Sequence, residues 1–496
     1  MAPKRSLLYA STLFTFLISS TAADTCSTVA NISGIDIERS PSIDYLDEQT
    51  KYWSTACGNL KPSCILYPSS AEEVAAIVKV LNQNNETFVF KSGGHNPNKH
   101  FASIDGGPLI STKHLDDVVF DASSMTARVG PGNRWEDVQN ALEPSGVAAV
   151  GGRIGEVGVG GYVVGGGLSF LSAKYGWAAN NIVDFEVVLA NGTIVTASKS
   201  SHPDLFKALK GGGNSYGIVT SYTMVVHPIG QVWGGNLVFT ADKTPQMLAA
   251  VRDFTEYYPD ENAGIIMTAE MTALGAIDLW IMFLFYDGPT PPAGVFDNFT
   301  DIGPFVNNCK TRSYADLLSS NNWAVVKGSA YTIATETTPL PNATVGAEVL
   351  GAYYDHWRNV TEAWQGIGGI IGSVAFQPFP KLMARKAKEL GGDMLDLDDS
   401  VDRIIMEFDF SYLLTPLDDE RIDQATVQLY GGMRDLIMQF TESGHVPEAY
   451  LPLFMNDGYF RQDYFGRLRT RDFARAVAGQ YDPEGFFAGR TGGFKM

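Results

Sequence analysis

The stretch GGRIGEVGVGGYVVGGG, residues 151–167, decides most about this fold, because it contains nine glycines. Glycine at this density lets backbone N–H groups approach a ligand closely and form concave sites for anions such as phosphate. A flexible surface loop is the alternative. The glycines alternate with valines at 157, 159, 163 and 164, however, and this alternation indicates a packed segment that approaches a ligand.

The glycine-rich stretch does not match the common nucleotide-binding motifs. Gly158 and Gly160 begin a G-x-G-x-x-G pattern, but Val163 stands where its last glycine is required. No Gly-Lys-Ser/Thr follows, which excludes a P-loop. The sequence therefore predicts a phosphate-binding loop of another kind.

A second glycine loop, KSGGHNPNKH at residues 91–100, contains His95. It follows a predicted β-α-β unit, in which a strand at 65–67 precedes an amphipathic helix at 74–81 and a buried strand at 88–90. Ser70 and Glu73 predict a capping box for this helix. The loop then lies at the carboxyl end of a strand, where α/β folds usually place ligand sites.

The N-terminal residues have the layout of a secretory signal peptide. Lys4 and Arg5 precede an apolar run at 7–18 and a small-residue exit at 19–23, and the run is too short to span a bilayer. A signal anchor is the alternative. Sequons begin at six asparagines, which favours a glycosylated product of the secretory pathway: Asn31, Asn85, Asn191, Asn298, Asn342 and Asn359.

The four cysteines predict one disulfide among Cys26, Cys57 and Cys64, with a second possible, and the sequence does not choose between the pairings. No cluster with metal-ligand spacing is present, so we expect no metal. The formal net charge of −19 argues against nucleic acid and anionic membrane as partners. We expect a monomer that acts on a small molecule.

Several motifs in matching order resemble one known family over nearly the whole mature chain. They are SGGH at 92–95, GPG at 130–132, the glycine-rich run, KYGW at 174–177, GGGNSYGIVT at 211–220, YDPEGFF at 481–487 and GGFK at 492–495. Together they resemble the berberine-bridge-enzyme-like covalent-flavin oxidases, which share the vanillyl-alcohol oxidase and p-cresol methylhydroxylase fold.

The resemblance implies an α+β fold of two domains. Residues 1–23 are expected to be the signal peptide, residues 24–230 the FAD-binding domain, and residues 231–445 a substrate-binding domain whose antiparallel sheet is covered by helices. Residues 446–496 are expected to return to the FAD module. Long apolar or alternating strands at 265–271, 277–285 and 404–412 agree with a sheet in the second domain.

In this family the histidine after the two glycines attaches to the 8α carbon of FAD, which implies covalent FAD at His95. Some members use a second, cysteine attachment in the glycine-rich run. Ile154 occupies that position here, so single attachment is expected. A histidine that is frequent after VGVGG is replaced by Tyr162.

The resemblance also implies a set of FAD-binding residues. Backbone amides at 92–95 and 155–161 should lie along the pyrophosphate, Ile218 and Val219 near the adenine or ring system, and Asn456 over the flavin. The full expected set is Lys91, Ser92, Gly93, Gly94, His95, Asn96, Gly155, Val157, Gly158, Gly160, Gly161, Tyr162, Gly166, Gly167, Ile218, Val219 and Asn456.

The function implied is an oxidase in which flavin accepts a hydride from a substrate C–H and O₂ is the electron acceptor. A natural-product scaffold, with oxidative cyclisation in some cases, is preferred as substrate because the second domain is rich in aromatic residues: Trp280, Phe283, Phe285, Trp323, Phe376 and Phe379. A carbohydrate oxidase and a flavin-retaining protein without redox activity, either a cyclase or a binding module, are the alternatives.

A catalytic base is sought on the strand at 404–412, where Glu407, Asp409 and Ser411 share one face. Such alternation is also typical of a solvated face. In the resembling family this strand covers the flavin and a glutamate or glutamine there acts as base or orienting group, which favours Glu407, with Asp409 two residues away. Phe454 replaces a frequent tyrosine, and Tyr412 and Tyr459 are the further candidates.

Overall fold

A computed structural model describes residues 24–32, 34–272, 275–413 and 415–496. The predicted signal peptide at 1–23 lies outside the described residues. Among them, the strands form three sheets. No helix of the described part is long and apolar enough to cross a membrane.

The first sheet contains the strand that leads to His95. Its order is β1-β2-β4-β3, with β2 and β3 parallel to β4. The elements are α1 (Thr25–Val29), β1 (Asp36–Glu38), α2 (Ile43–Thr50), α3 (Thr55–Gly58), β2 (Cys64–Tyr67), α4 (Ala71–Asn84), β3 (Val89–Lys91) and β4 (Pro108–Ser111).

Helix α4 follows the predicted pattern, with one difference at its start. Ser70 accepts from the backbone N–H of Glu73, as a capping box requires. The Glu73 carboxylate accepts from Ser69 instead of Ser70, at 2.7 Å from the backbone nitrogen. The apolar side chains Val74, Ile77, Val78 and Leu81 are buried, and they fix α4 against the sheet.

The second sheet has the order β5-β6-β10-β8-β9, and β7 pairs with β10. The predicted turn at Asn191 and Gly192 joins β8 to β9, with Gly192 at φ +76°. The elements are β5 (Val118–Asp121), β6 (Thr126–Val129), α5 (Trp135–Leu142), β7 (Val147–Ala149), α6 (Val159–Val164), α7 (Ser172–Tyr175), β8 (Ile182–Val188), β9 (Ile194–Ser198), α8 (Pro203–Ala208) and β10 (Ile218–Pro228).

The third sheet is antiparallel and has the order β14-β11-β13-β12-β17-β18-β16, with β15 beside β11. Its elements are β11 (Val232–Thr240), α9 (Thr244–Tyr257), β12 (Ala263–Thr272), β13 (Asp278–Tyr286), α10 (Asp297–Thr300), β14 (Val306–Asn307), β15 (Lys310–Arg312), α11 (Tyr314–Ser320), β16 (Ala330–Pro339), α12 (Gly346–Ala363), β17 (Ile371–Phe379), α13 (Lys381–Glu389), β18 (Arg403–Tyr412) and α14 (Pro416–Glu442).

The two faces of this sheet differ in character. Met406, Phe408 and Phe410 of β18 are buried in a core that includes side chains of α9, α12 and α14, such as Trp357 and Leu429. Alternation along the strand therefore turns Glu407 and Asp409 to the opposite face, away from the helices. That face is the one available to a ligand.

The C-terminal segment, with α15 (Arg471–Tyr481) and α16 (Phe486–Arg490), packs back onto the first two sheets. Leu453, Tyr464 and Phe465 lie in the same core cluster as Val129 of β6 and Val187 of β8. Phe486 lies in the cluster beneath the first sheet. The segment thus shares cores with the N-terminal half instead of forming its own.

One disulfide joins Cys26 of α1 to Cys64 of β2. It ties the start of the described chain to the first sheet. Cys57 and Cys309 are free thiols, and burial raises the pKa of Cys57 to about 11. The structure thereby selects Cys26–Cys64 among the pairings that the sequence left open.

Candidate active site

A cavity of about 560 Å³ lies between the glycine loops and the open face of the third sheet. Much of its lining comes from the two glycine loops, the third sheet and the C-terminal segment around Asn456, and Trp53, Val219 and Trp323 add to it. His95, Glu407 and Asp409 therefore face one common space, although they are distant in the sequence.

His95 sits in the loop directly after β3 and stacks on Trp53. The two ring centroids are 4.6 Å apart and the planes differ by 6°. Burial, and secondarily the positive charge of Arg134, lowers the pKa of His95 to about 4. The imidazole is therefore neutral near pH 7, with a free lone pair on one ring nitrogen.

The two glycine loops touch backbone to backbone at Gly93 and Gly158. A Cβ on Gly93 would lie 2.6 Å from the Cα of Gly158, so neither position has room for a side chain. Ser92 holds the contact, because its hydroxyl donates to the carbonyl of Pro131 at 2.6 Å and accepts from the N–H of Gly160 at 3.1 Å. This is the close approach that the glycine density predicted.

The backbone around these loops fits a phosphate-bearing cofactor. Within the described residues, the N–H groups of residues 93–96 donate no hydrogen bond to the protein, and all four residues line the cavity. A Cβ on Gly161 would meet nothing within 4 Å, so the cradle is open there. Orphan N–H donors beside an open cradle are the donor set that a pyrophosphate requires.

The C-terminal segment closes the cavity through Asn456. Its side-chain amide donates to the carbonyl of Tyr162 at 3.1 Å and accepts from the N–H of Gly167 at 3.2 Å. The Tyr162 hydroxyl in turn donates to the carbonyl of Leu168 at 2.7 Å. Asn456 therefore fixes the end of the glycine-rich stretch.

Most residues of the expected FAD-binding set line the cavity. They are Ser92, Gly93, Gly94, His95, Asn96, Val157, Gly158, Gly160, Gly161, Tyr162, Val219 and Asn456. Five lie behind this lining: Lys91, Gly155, Gly166, Gly167 and Ile218. Lys91, for example, is buried beneath the loop in a 2.6 Å ion pair with Glu48, so its role is to support the loop.

The third sheet and the C-terminal segment contribute a cluster of carboxyl groups. Gln377 donates to Glu407 at 3.2 Å and to Asp457 at 3.0 Å, and it accepts a hydrogen bond from Arg153 of the glycine-rich stretch. Asp409 lies two residues from Glu407 on the same face, and its buried Oδ1 has no hydrogen-bond partner among the described residues. The charge of the Arg153 guanidinium acts on two of these carboxyl groups, Glu407 and Asp457.

Burial is the largest influence on this cluster and raises the pKa of Glu407, while the nearby charge of Arg153 opposes the rise. Burial raises the pKa of Asp409 well above its usual range, and the negative charges of Glu407 and Asp457 add to the effect. Burial also raises the pKa of Asp457 well above normal, and the negative charge of Glu407 adds to the effect. Asp409 and Asp457, whose pKa values are raised furthest, therefore retain protons at pH values where free carboxylates are ionised.

The two candidate tyrosines lie outside the cavity. The Tyr412 hydroxyl donates to Asp419 at 2.9 Å and the Tyr459 hydroxyl donates to Asp423 at 2.6 Å. Burial raises the pKa of both, so neither is placed or charged to act as a base at the cavity. Of the six aromatic residues that suggested an apolar substrate, only Phe283 and Trp323 line the cavity, and the other four are core residues.

Four residues of the site were not found from the sequence: Trp53, Arg153 and Asp457, which line the cavity, and Gln377, which donates to Glu407 and Asp457. Asp457 follows Asn456 directly, and Gln377 is a polar residue in the apolar C-terminal half of strand β17, so the local sequence could have indicated both. The local sequence did not indicate Trp53, because only the tertiary fold brings its ring against His95.

A family model for an FAD binding domain matches residues 62–198. The chain is 42% identical to an FAD-linked oxidoreductase of Arthroderma benhamiae over 93% of both chains. It is 30% identical to the FAD-dependent monooxygenase drtC of Aspergillus calidoustus, over 92% of this chain and 86% of that protein. The chain belongs to the FAD-linked oxidoreductases.

Solved structures confirm the fold. Berberine bridge enzyme from Eschscholzia californica superposes with a TM-score of 0.75 at 18% identity, covering 95% of this chain and 99% of that one. A xylooligosaccharide oxidase from Myceliophthora thermophila also gives a TM-score of 0.75 at 18% identity, over 96% and 100% of the two chains. The family resemblance and the α+β fold predicted from the sequence are thus confirmed, and FAD is the cofactor of this oxidoreductase.

Proposed function

We propose that this FAD-linked oxidoreductase is a secreted oxidase that removes a hydride from a C–H bond of a natural-product scaffold. The observation that carries the proposal is the common cavity, which is lined by the neutral His95 on one side and by Glu407 and Asp409 on the other. When bound, FAD supplies a two-electron acceptor for the hydride and passes the electron pair to O₂, which leaves as H₂O₂.

The cofactor is held by His95 alone in this proposal. A neutral imidazole is a nucleophile near pH 7, and its new C–N bond would replace one C–H bond of the 8α methyl group and its own N–H bond. Two protons and two electrons are released in this exchange, and O₂ takes them as H₂O₂. Ile154 lines the cavity where some relatives of the resembling family have a cysteine, which supports a single attachment.

Glu407 is the proposed base. The amide of Gln377 donates to it, and hydrogen bonds to a carboxylate favour the ionised form. Asp409 has no such donor at Oδ1, which favours its protonated form. Glu407 would take the proton of the substrate O–H or N–H group while the hydride leaves the neighbouring carbon, and a C=O or C=N bond results.

The wall opposite the glycine loops supports an apolar substrate. Ile266, Leu279, Ile281 and Phe283 of β12 and β13 line the cavity. The rim is also apolar: Trp323, 51% exposed, stacks on Phe283 with ring centroids 5.8 Å apart, and Val326 is 52% exposed. An apolar wall with a few convergent carboxyl groups suits a ring system that carries a small number of hydroxyl or amine groups better than a sugar.

The names of relatives support this substrate class without establishing it. One relative, 41% identical over 41% of this chain, is a bifunctional solanapyrone synthase of Alternaria solani. The name of drtC describes a monooxygenase, in which an oxygen atom of O₂ would enter the product. The fate of O₂ therefore separates our proposal from that alternative.

The test is anaerobic mixing of the purified holoprotein with a panel of aromatic alcohols, cyclic amines, polyketides and oligosaccharides, followed by admission of O₂. We expect an apolar ring compound to bleach the flavin absorbance and O₂ to restore it with one H₂O₂ per product. Bleaching by oligosaccharides alone would overturn the substrate class. An ¹⁸O label from O₂ in the product, without H₂O₂, would identify a monooxygenase.

Secretion is supported by the surface positions of the sequons. All six sequon asparagines are exposed, including Asn359 on the outer side of α12. We expect the product of a secretory host to lose mass on treatment with an endoglycosidase. An unglycosylated product retained inside the cell would contradict this part of the proposal.

A further inference from the structure

Trp53 joins the attachment loop to the third sheet through both faces of its indole ring. On one face the ring lies nearly parallel to His95, with centroids 4.6 Å apart and an angle of 6°. On the other face it stacks on Tyr331 of β16, with centroids 4.3 Å apart and an angle of 26°. His95, Trp53 and Tyr331 thus form a column of three rings, which we call the ring column.

Hydrogen bonds hold the ring column at each end. The backbone N–H of Trp53 donates at 3.1 Å to the carbonyl of Gly94, the residue before His95. The N–H of Tyr331 donates to the hydroxyl of Ser54 at 3.0 Å. The Tyr331 hydroxyl donates to the carbonyl of Val326 at 2.7 Å, so the last ring cannot rotate freely.

Stacking decides which part of His95 can react. An imidazole attacks through the lone pair of a ring nitrogen, which lies in the ring plane. A ring held face to face keeps both nitrogens at its free edge, whereas an unsupported ring would rotate about its side-chain torsions. Small errors in the approach of a nucleophile slow bond formation strongly.

We propose that Trp53 is a positioning residue for flavin attachment, because its flat face sets the plane of His95, and that Tyr331 makes this orientation depend on the third sheet. The inference rests on the proposed attachment of FAD to His95. Its consequence is that the cofactor bond forms only once the substrate-binding sheet has packed against the FAD-binding half. Covalent attachment then reports on assembly of the whole cavity.

Two substitutions of Trp53 distinguish the effect of a flat aromatic face from the effect of side-chain volume. Trp53→Phe retains an aromatic face, and Trp53→Leu fills part of the same space without one. Each full-length variant, purified from flavin-limited expression, is incubated with FAD, and the covalent fraction is followed by fluorescence of the denatured protein band. We expect Trp53→Leu to slow attachment by about 10²-fold, with Trp53→Phe much closer to wild type.

Tyr331→Leu and Tyr331→Phe form a second pair. We expect Tyr331→Leu to attach FAD more slowly than Tyr331→Phe, with a smaller difference in rate than in the first pair, because Tyr331 acts through Trp53. Trp364→Ala is the control, since the Trp364 indole bonds Gln428 on α14 and does not line the cavity. Circular dichroism and non-covalent FAD binding are measured for each variant to establish that it is folded.

The outcomes distinguish this inference from the proposed function. If wild type never attaches FAD, or if His95→Ala still does, the attachment site itself is wrong. If wild type attaches FAD at His95 and Trp53→Leu does so equally fast, only the role of Trp53 is overturned. Equal slowing in Trp53→Leu and Trp53→Phe would show that the ring only fills space, and this also overturns the inference.

Discussion

The side-chain amide of Gln377 lies 3.2 Å from the carboxylate of Glu407. The same nitrogen lies 3.0 Å from Asp457, and the amide oxygen accepts from Arg153. Gln377 thus connects a residue of the glycine-rich stretch, a strand of the third sheet and the C-terminal segment. Because Asp409 has no comparable donor at its buried Oδ1, the two neighbouring carboxyl groups on β18 differ in their readiness to ionise.

Glu407→Gln should slow anaerobic flavin reduction by about 10² to 10⁴-fold, because a positioned general base contributes that much to the rate. Asp409→Asn should have the smaller effect, since a protonated Asp409 already resembles an amide in charge. Rapid-mixing absorbance with the best substrate of the panel measures both rates.

Tyr412→Phe is the matched control for these two variants, because Tyr412 lies on the same strand but outside the cavity. It should reduce at nearly the wild-type rate. A large loss in Asp409→Asn with a normal rate in Glu407→Gln would reverse the two assignments.

Asp409 should also affect stability as a function of pH. Its pKa is raised well above normal in the folded state, so the folded protein binds this proton more tightly than the unfolded chain does. The associated stability is present below the ordinary carboxyl pKa of about 4 and is lost as pH rises toward the folded pKa. At pH 7.5 the wild type therefore carries a penalty that a neutral asparagine would not.

Asp409→Asn should accordingly be more stable than wild type at pH 7.5 and similar to it at pH 4. Urea unfolding at the two pH values measures the difference. A variant that is destabilised equally at both pH values would show that folding does not raise the pKa of Asp409 and would contradict this assignment.

The sequence predicted much of this architecture because local patterns agreed with the tertiary structure. The helix at 71–84, the turn at Gly192 and the two faces of β18 all follow from periodicity, capping or turn residues. Motif order then implied how the FAD-binding half is assembled. Alternation on the strand predicted that Glu407 and Asp409 share one face, and the family resemblance, not the alternation, turned that face toward the flavin.

What the sequence did not reveal depends on contacts between distant segments. Trp53 and His95 are brought together by the loop after β3, and Gln377 meets Asp457 only when the C-terminal segment packs over the cavity. Tyr412 and Tyr459 were candidate bases, but their hydroxyl groups bond carboxylates outside the cavity. No periodicity or spacing carries this information.

The two glycine loops offer a test of the cofactor cradle. Gly93→Ala would place a Cβ 2.6 Å from the Cα of Gly158, and overpacking against backbone costs roughly 1–3 kcal/mol. Gly161→Ala adds a methyl group where nothing lies within 4 Å in helix α6, so it should not lower the stability of the flavin-free protein while it weakens FAD binding. Thermal melts and FAD titration separate the effects. Normal FAD affinity in Gly161→Ala would place the cofactor elsewhere in the cavity.

We expect the Cys26–Cys64 disulfide to contribute more to the free energy of unfolding than the two free cysteines do. Cys26 and Cys64 are 38 residues apart, and closing a loop of that length is worth about 4 kcal/mol in the chain-entropy model. Cys26→Ser should lower the free energy of unfolding by an amount of that order, whereas Cys309→Ser, at a free and partly exposed thiol, should change it little. Equal effects of the two variants would contradict the assignment of the bridge.

Peptide mapping of the purified holoprotein tests the account most directly. After proteolysis, mass spectrometry of the flavin-bearing peptide should locate one flavin on His95, and His95→Ala should release all of its FAD on denaturation. An unmodified His95 in yellow, folded protein, or a flavin bound to any other residue, would contradict the claim that this imidazole holds the cofactor.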